Sequence, residues 1–257
     1  MPEAKNSHIK TRNERANSKR ILTRNSPFAV RESFVKLRTS LMFCMTADKE
    51  RPCRVYGITS AKPSEGKSLI AANIAVSFAM LQKKTLLIDG DLRKPTVRRL
   101  WDIRQKTGLC DFLVGAAPLH LTTLKDIPLT IIPSGSIPPN PSELLSSANM
   151  RQFIDSCTEC YDYIIIDTPP VGTVADAQIV SSFVDGYILV ARSGDTSRVE
   201  LSEAIDALRS VGGNVCGVVL NAVSRKSMKY NDHGRYDIRY GYKYQYGEKN
   251  GYDGGQI

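Results

Sequence analysis

SAKPSEGKS, residues 60–68, decides the fold of this 257-residue chain. The stretch follows a short β-rich run, RVYGITS (54–60), and leads into LIAANIAVSFAML (69–81), which is apolar apart from Asn73 and Ser77. The spacing predicts a strand over 54–60 and a buried helix over about 67–82. A strand, a loop of small residues ending Gly-Lys-Ser, and then a helix is the context that a phosphate-binding loop requires. N–H groups of the 63–68 backbone would cradle phosphate oxygens, helped by the positive end of the following helix. Lys67 would reach the β- and γ-phosphates, and the Ser68 hydroxyl would bind Mg²⁺. Such loops usually open with Gly, where this one has Ala61. A Gly is needed there only if the backbone takes a positive φ, so the mechanism survives the departure.

Two further stretches bring carboxylates to the same region. In LLIDGDLRKP (86–95), Asp89 and Asp91 emerge from an apolar run predicted as a strand over 85–91. A spacing of two puts both side chains on one face if the strand continues. One would hold Mg²⁺ and the other would take a proton from an attacking hydroxyl, unless the pair is an ordinary acidic loop. In IIIDTPP (164–170), Asp167 ends a continuous apolar run. It either contacts Mg²⁺, as an Asp at the end of a buried strand beside a phosphate loop does, or serves as a turn or helix-cap residue. Open α/β sheets bind ligands at the carboxyl ends of their strands.

Lesser candidates have two readings each. Lys62 either meets phosphate, from its own or a neighbouring subunit, or is a solvated surface cation. Arg93 and Lys94 either contact phosphate or an acceptor, or cap loop carbonyls. Asn221 either reads an adenine edge or closes a turn.

The remaining periodicity completes an α/β pattern. Further strands are predicted over 129–135, 161–170, 186–192 and 215–221, with a helix following PNPSELL (139–145) and another near 197–211. Near-continuous apolar strands alternating with helices argue for a parallel sheet covered on both faces. FAVRESFVKLRTSLMFCM (28–45) has apolar residues at 30, 34, 37, 41 and 45, a helical spacing. The chain is therefore divided into a flexible basic arm (1–27), a domain with an N-terminal helix (28–221) and a flexible tail (222–257).

Charge and cysteine content narrow the setting. Residues 1–50 hold eleven Lys/Arg against five Asp/Glu, and residues 222–257 hold seven against four, so the formal +9 belongs to the two ends. Such ends suit an anionic membrane surface, an acidic partner or nucleic acid, or simply solvation. No run reaches the roughly 18 apolar residues of a membrane span, and the N-terminal residues lack the apolar stretch of a signal peptide. Cys157 and Cys160 form a lone CxxC without a second pair, so the six cysteines are expected as free thiols.

The last residues pose a separate question. Seven of the eleven tyrosines, Tyr230, Tyr236, Tyr240, Tyr242, Tyr244, Tyr246 and Tyr252, lie beyond residue 229 among Gly and charged residues. The polarity of the segment argues against core burial.

Taken together, SAKPSEGKS as Walker A, LLIDGDLRKP as Walker A′, IIIDTPP as Walker B, PPNPSELL (138–145) and the tyrosine cluster resemble the bacterial tyrosine kinases of capsular and exopolysaccharide synthesis. The resemblance is to the separate kinase subunit of Gram-positive type and spans about residues 28–257. It implies a P-loop NTPase fold with a mostly parallel sheet, related to the deviant-Walker MinD and ParA ATPases, which the Ala61 opening and Lys62 also resemble. It implies ATP- and Mg²⁺-dependent autophosphorylation of the tail tyrosines, in trans within a ring-like homo-oligomer. Ala61, Lys62, Pro63, Ser64, Glu65, Gly66, Lys67, Ser68, Arg93 and Asn221 are then expected at ATP. Lys67, Asp89 and Asp91 carry catalysis, with Asp89 as base, and Ser68, Asp91 and Asp167 hold the metal. Glu32 and Arg38 match the family's oligomerisation motif, whose middle Arg is replaced here by Val35. A transmembrane activator of the polysaccharide chain-length type, a cytoplasmic position at the inner face of the membrane through that adaptor, and polysaccharide-synthesis enzymes as substrates are implied as well. A partitioning-type ATPase switch without kinase activity is the alternative, and it leaves the tyrosines unexplained. Nucleic-acid binding through the basic, aromatic tail is a weaker reading.

Overall fold

The computed structural model describes residues 20–44 and 53–223. Seven strands, β1 (Arg54–Ser60), β2 (Thr85–Asp89), β3 (Thr122–Thr123), β4 (Leu129–Ile132), β5 (Tyr163–Asp167), β6 (Gly186–Arg192) and β7 (Val215–Asn221), form one sheet in the order β3-β4-β2-β5-β1-β6-β7. All pairings are parallel except the short β3 against β4. Alternation along the strands feeds two apolar layers. Ile164 and Ile166 of β5 face one layer with Leu86, Ile88 and Leu189. Ile165 faces the other, with Ile58, Leu87, Ile188 and Val190. Because both faces are covered, the central strands read as unbroken apolar runs.

Helices are α1 (Phe28–Cys44), α2 (Lys67–Ala79), α3 (Val97–Leu100), α4 (Leu109–Leu113), α5 (Pro141–Leu145), α6 (Ala148–Thr158), α7 (Asp176–Val180) and α8 (Arg198–Arg209). α2 is buried nearly throughout. Its Ala71, Ala72, Ala75 and Ala79 are small enough to let the helix lie against the strands. Phe78 fills the remaining space, stacked on Tyr163 with centroids 3.8 Å apart and lying 6.4 Å from Tyr56. α6 is the helix expected after PNPSELL, and Met150, Phe153, Ile154 and Cys157, which repeat at helical spacing, are its buried face. Ser147 caps it, accepting the Met150 N–H at 3.2 Å.

α1 docks on α2. The Arg38 guanidinium Nη1 donates to the Ser77 carbonyl at 2.7 Å, and the Tyr56 hydroxyl of β1 donates to the Leu41 carbonyl at 2.8 Å. Leu41 is buried, and Phe34 and Leu37 pack on the same layer. Val30 is exposed, so the predicted stripe is narrower than the sequence implied; Met45 falls outside the described residues. The flexible arm expected over 1–27 is also shorter where it can be seen. Ile21 and Leu22 are buried, the Leu22 N–H donates to Asn73 Oδ1 at 2.6 Å, and Asn73 Nδ2 donates to the Arg20 carbonyl at 3.2 Å. The polar run of the arm hid this two-residue apolar anchor.

Strand ends differ from expectation. β2 stops at Asp89 rather than 91, β4 at Ile132 rather than 135, and β5 spans 163–167 rather than 161–170. β7 is an edge strand with Val218 and Leu220 exposed. No described helix is long and apolar enough to cross a membrane.

Phe78→Ala should destabilise the domain by about 3–5 kcal/mol, because a buried aromatic is removed and the space cannot collapse between two rings. Phe78→Leu should cost less than half of that. Urea unfolding followed by far-ultraviolet circular dichroism measures both.

Candidate active site

The loop after β1 is held by backbone conformation and by neighbours from the far side of the sheet. Ala61, standing where Gly is usual, has no positive φ; the left-handed positions are Ser64 (φ 69°) and Gly66 (φ 92°). A Cβ on Gly66 would lie 2.3 Å from Asn221 Nδ2. That amide donates to the Glu65 carbonyl at 2.8 Å. Asn221, at the end of β7, therefore braces the loop, a role neither reading of the sequence anticipated. Glu65 also points inward. It is fully buried, its Oε2 accepts the Lys62 N–H at 3.0 Å, and its Oε1 accepts the Thr196 hydroxyl. Lys62 extends away from the loop. Its Nζ donates to the Asp195 carbonyl at 2.9 Å and to Glu200 Oε1 at 3.2 Å. The Glu200 hydrogen bond holds its ammonium above the ordinary Lys value. Of the residues expected at ATP, Lys62, Glu65 and Asn221, like Lys67 and Arg93 below, have side chains engaged within the protein.

Lys67, at the start of α2, lies among carboxylates. Its Nζ is 2.8 Å from Asp91 Oδ2 and 3.5 Å from Asp167 Oδ1, and it donates to Ser68 Oγ at 3.4 Å. Burial works against the ammonium, but Asp167 and Asp91 outweigh it and hold the group above its ordinary value. Asp89 and Asp167 are register partners on adjacent strands. The turn beyond Asp89 runs against β5, where the Gly90 N–H donates to the Asp167 carbonyl at 2.8 Å. A Cβ on Gly90 would lie 2.9 Å from that oxygen.

The two aspartates of LLIDGDLRKP do not share a face of one strand. Since β2 ends at Asp89, Asp91 belongs to the following loop and turns to Lys67, with its other oxygen accepting the Lys94 N–H at 2.9 Å. Asp89 is completely buried, and its Oδ2 accepts the N–H groups of Thr96 (3.1 Å) and Val97 (2.9 Å). Its carboxyl is held well above the ordinary range by burial and then by Asp167, against the Val97 N–H. Asp167 is raised too, by burial, with Lys67 opposing.

Arg93 is a clamp. Its Nε and Nη2 donate to the two oxygens of Asp176 at 2.8 and 3.0 Å, and Nη2 also reaches Ser142 Oγ at 2.9 Å. Ser142 in turn donates to Asp176 Oδ1 at 2.7 Å. Asp176, completely buried at the start of α7, thus ties the loop carrying Asp91 to α5. Sequence reasoning missed Asp176, Ser142, Thr196 and Glu200. The Ser197-x-x-Glu200 capping box was legible as a helix start, but nothing in the sequence links it to Lys62.

A cavity of about 480 Å³ opens over these groups, between Gly66, Lys67 and Ser68 on one side and Asp91, Lys94 and Arg99 on another. The residues fit a divalent cation. Oδ2 of Asp167 and Oδ1 of Asp89 are buried without a hydrogen-bond partner among the described residues, and Asp167 Oδ1 has the 3.5 Å ion pair to Lys67; such carboxylate oxygens are the donor chemistry a hard cation takes. No group of three or more His, Cys, Asp or Glu among the described residues forms a ready-made cage. An ion would accordingly depend on phosphate oxygens for the rest of its shell, as Mg²⁺ commonly does. Glu32 is half-buried and Arg38 is engaged with Ser77, so the pair expected at a subunit interface includes one residue that docks α1 on its own domain. The seven tail tyrosines lie outside the described residues.

Comparison with known proteins places this geometry. Residues 53–237 match the family described as ParA, NUBPL iron-transfer P-loop NTPase. Tyrosine-protein kinase YwqD of Bacillus subtilis (strain 168) is 39% identical over 210 residues, covering 81% of this chain and 86% of its own. Among solved structures, the chimerical protein CapA2B2 superposes with a TM-score of 0.72 at 35% identity, covering 78% of this chain and 87% of its own. The kinase domain of the Escherichia coli tyrosine kinase ETK superposes with a TM-score of 0.72 at 33% identity, covering 84% and 88%.

Asp176→Ala removes the acceptor shared by Arg93 and Ser142 and should destabilise the fold by about 1–3 kcal/mol, read by urea unfolding. Nucleotide affinity, read with a fluorescent ATP analogue, should fall as well, because the loop carrying Asp91 is released. A Ser142→Ala change, which leaves the two-pronged Arg93 contact intact, should have the smaller effect on both.

Proposed function

The chain belongs to the bacterial tyrosine kinases, a branch of the ParA-type P-loop NTPases, and we propose that it transfers the γ-phosphoryl group of ATP to its own tail tyrosines. The observation that carries this reading is Lys67 set between Asp91 and Asp167 at the mouth of the cavity. Transfer needs charge on the phosphates offset and a nucleophile oriented, with little covalent chemistry from the protein. The 63–68 backbone and Lys67 bind the phosphates. Ser68, Asp91 and Asp167 would hold Mg²⁺, Asp167 with the buried oxygen it has to spare, and the ion would supply further charge neutralisation at the phosphates.

The acceptor is a tyrosine hydroxyl. Its proton passes to a carboxylate, the phenol oxygen bonds to the γ-phosphorus, and ADP leaves. Asp89 is the base implied by the resemblance. Its raised carboxyl favours proton uptake, and a hydroxyl that reaches it must displace the Thr96 and Val97 N–H groups that now cover it. Asp91, already on the cavity wall, orients Lys67 in the meantime.

Tyr230, Tyr236, Tyr240, Tyr242, Tyr244, Tyr246 and Tyr252 are the acceptors, presented to a neighbouring copy in a homo-oligomer to which Glu32 and Arg38 contribute. Each phosphate adds about −1.5 to −2 charges, enough for a few to reverse the positive balance of residues 222–257. A transmembrane activator brings the kinase to the inner face of the membrane, and enzymes of capsular or exopolysaccharide synthesis are its further substrates.

Mapping phosphotyrosine after incubation with ATP and Mg²⁺, with and without an activator's cytoplasmic fragment, tests the proposal. The tail should be labelled, and chelating the divalent ion with EDTA should stop the labelling. Lys67→Met should lower it by about 10²-fold or more by removing the phosphate contact. Replacing the seven tail tyrosines with Phe should abolish labelling while ATP binding persists. ATP hydrolysis with no protein phosphorylation under any of these conditions would point instead to a partitioning-type switch.

A further inference from the structure

Two cysteines far apart in the sequence meet at the junction of the first helix and the last strand. Cys44 is the final residue of α1 and is exposed; Cys216 is the second residue of β7 and is half-buried. The Cys44 thiol donates to the Cys216 backbone carbonyl at 3.5 Å, across 172 positions of chain. The Cys44 thiol is thereby set beside Cys216, and burial, followed by this neighbour, pushes the Cys216 thiol up to about 12. The surroundings keep them together. The Tyr56 hydroxyl holds the last turn of α1 through the Leu41 carbonyl. The half-buried side chain of Cys216 packs on the apolar layer that α1 and α2 share. Neither cysteine contributes to the cavity over Lys67, and neither is used in phosphoryl transfer.

We propose that Cys44 and Cys216 form a reversible, peroxide-driven disulfide that fastens α1 to the edge strand β7. Cys44 is the attacked residue because it is exposed, and Cys216 is the resolving residue because the Cys44 thiol already touches its backbone. Hydrogen peroxide oxidises the Cys44 thiol to a sulfenic acid, an S–O bond replacing S–H as the peroxide O–O bond breaks and one oxygen leaves as water. The Cys216 sulfur then attacks the Cys44 sulfur. The S–S bond forms, the S–O bond breaks, and the oxygen leaves as a second water with the Cys216 proton. A dithiol restores both thiols by exchange. Disulfides in reducing compartments are usually transient and redox-sensing, which is the behaviour this exposed, peripheral pair suits. The bond links two elements close to function: α1, with Glu32 and Arg38, and β7, whose final residue Asn221 braces the loop at Glu65.

The full chain, reduced and then treated with hydrogen peroxide, is quenched with N-ethylmaleimide and analysed by peptide mass spectrometry without reduction. The expected result is a peptide pair linking Cys44 to Cys216 within one chain, a mass lower by two hydrogens, and loss of both sites from alkylation, all reversed by dithiothreitol. Cys44→Ser and Cys216→Ser should each remove the linked peptide, whereas Cys160→Ser, which alters another exposed cysteine, should leave it. Binding of a fluorescent ATP analogue shows that each variant is folded. The linked form should also protect α1 from limited proteolysis relative to the reduced form. Oxidation of Cys44 to sulfinic acid or to an intermolecular dimer, with Cys216 still open to alkylation, would overturn the proposal.

Discussion

One ammonium buried against three carboxylates is the constraint around which the rest is arranged. Lys67 contacts Asp91 and Asp167, and Asp89 lies beside Asp167 across the β2–β5 ladder. Charges removed from water are tolerated only where they are paired or hydrogen-bonded. Lys67 balances one carboxylate fully, Asp89 draws on two backbone N–H groups, and Asp167 has a buried oxygen to spare. The shortage of positive partners, which leaves the Asp89 and Asp167 carboxyls raised by burial, is not a flaw of packing. It gives the carboxyl edge of the sheet an appetite for positive charge beside the place where phosphates would rest, and it explains why the Lys67 ammonium, although buried, is held above its ordinary value.

Around that cluster, polar side chains fix loops that would otherwise be free. Asn221, Thr196 and Lys62 secure the phosphate loop from β7 and the start of α8. Asp176 secures the loop after β2 through Arg93. Both braces converge on flexible backbone from elements that come much later in the sequence. A buried carboxylate at each brace, Glu65 or Asp176, receives more than one donor. A carboxylate with several acceptor sites can gather such groups where a hydroxyl cannot.

The sheet and the central loop were legible because their signals are local. Continuous apolar runs such as Ile164–Ile166 identify parallel strands buried on both faces, and Gly-Lys-Ser between a strand and a helix has few other readings. The position of Asp91 was not legible, since nothing in LLIDGDLRKP states where hydrogen bonding to β4 and β5 stops. Asp176, Ser142 and Thr196 were invisible for a different reason. Each is an ordinary polar residue until its partner, 34 to 131 positions away, is brought beside it. Ile21 and Leu22 were overlooked because two apolar residues in a basic run carry no periodicity. The burial of Asn73 was likewise unexplained until its amide was seen to serve their backbone.

The strand order has a consequence for how the protein is made. β1 emerges early from synthesis, yet its neighbours in the sheet are β5 and β6, which lie more than a hundred residues downstream at 163–192. A nascent chain that ends before residue 163 leaves the central strand unpaired on both edges. Pairings so distant in sequence close slowly, and until they close, the apolar run of β1 must be kept from other chains. Even then the phosphate loop lacks its brace until Asn221 arrives. Assembly therefore finishes at the functional centre, where the last strand to be made supplies the contact that braces the loop.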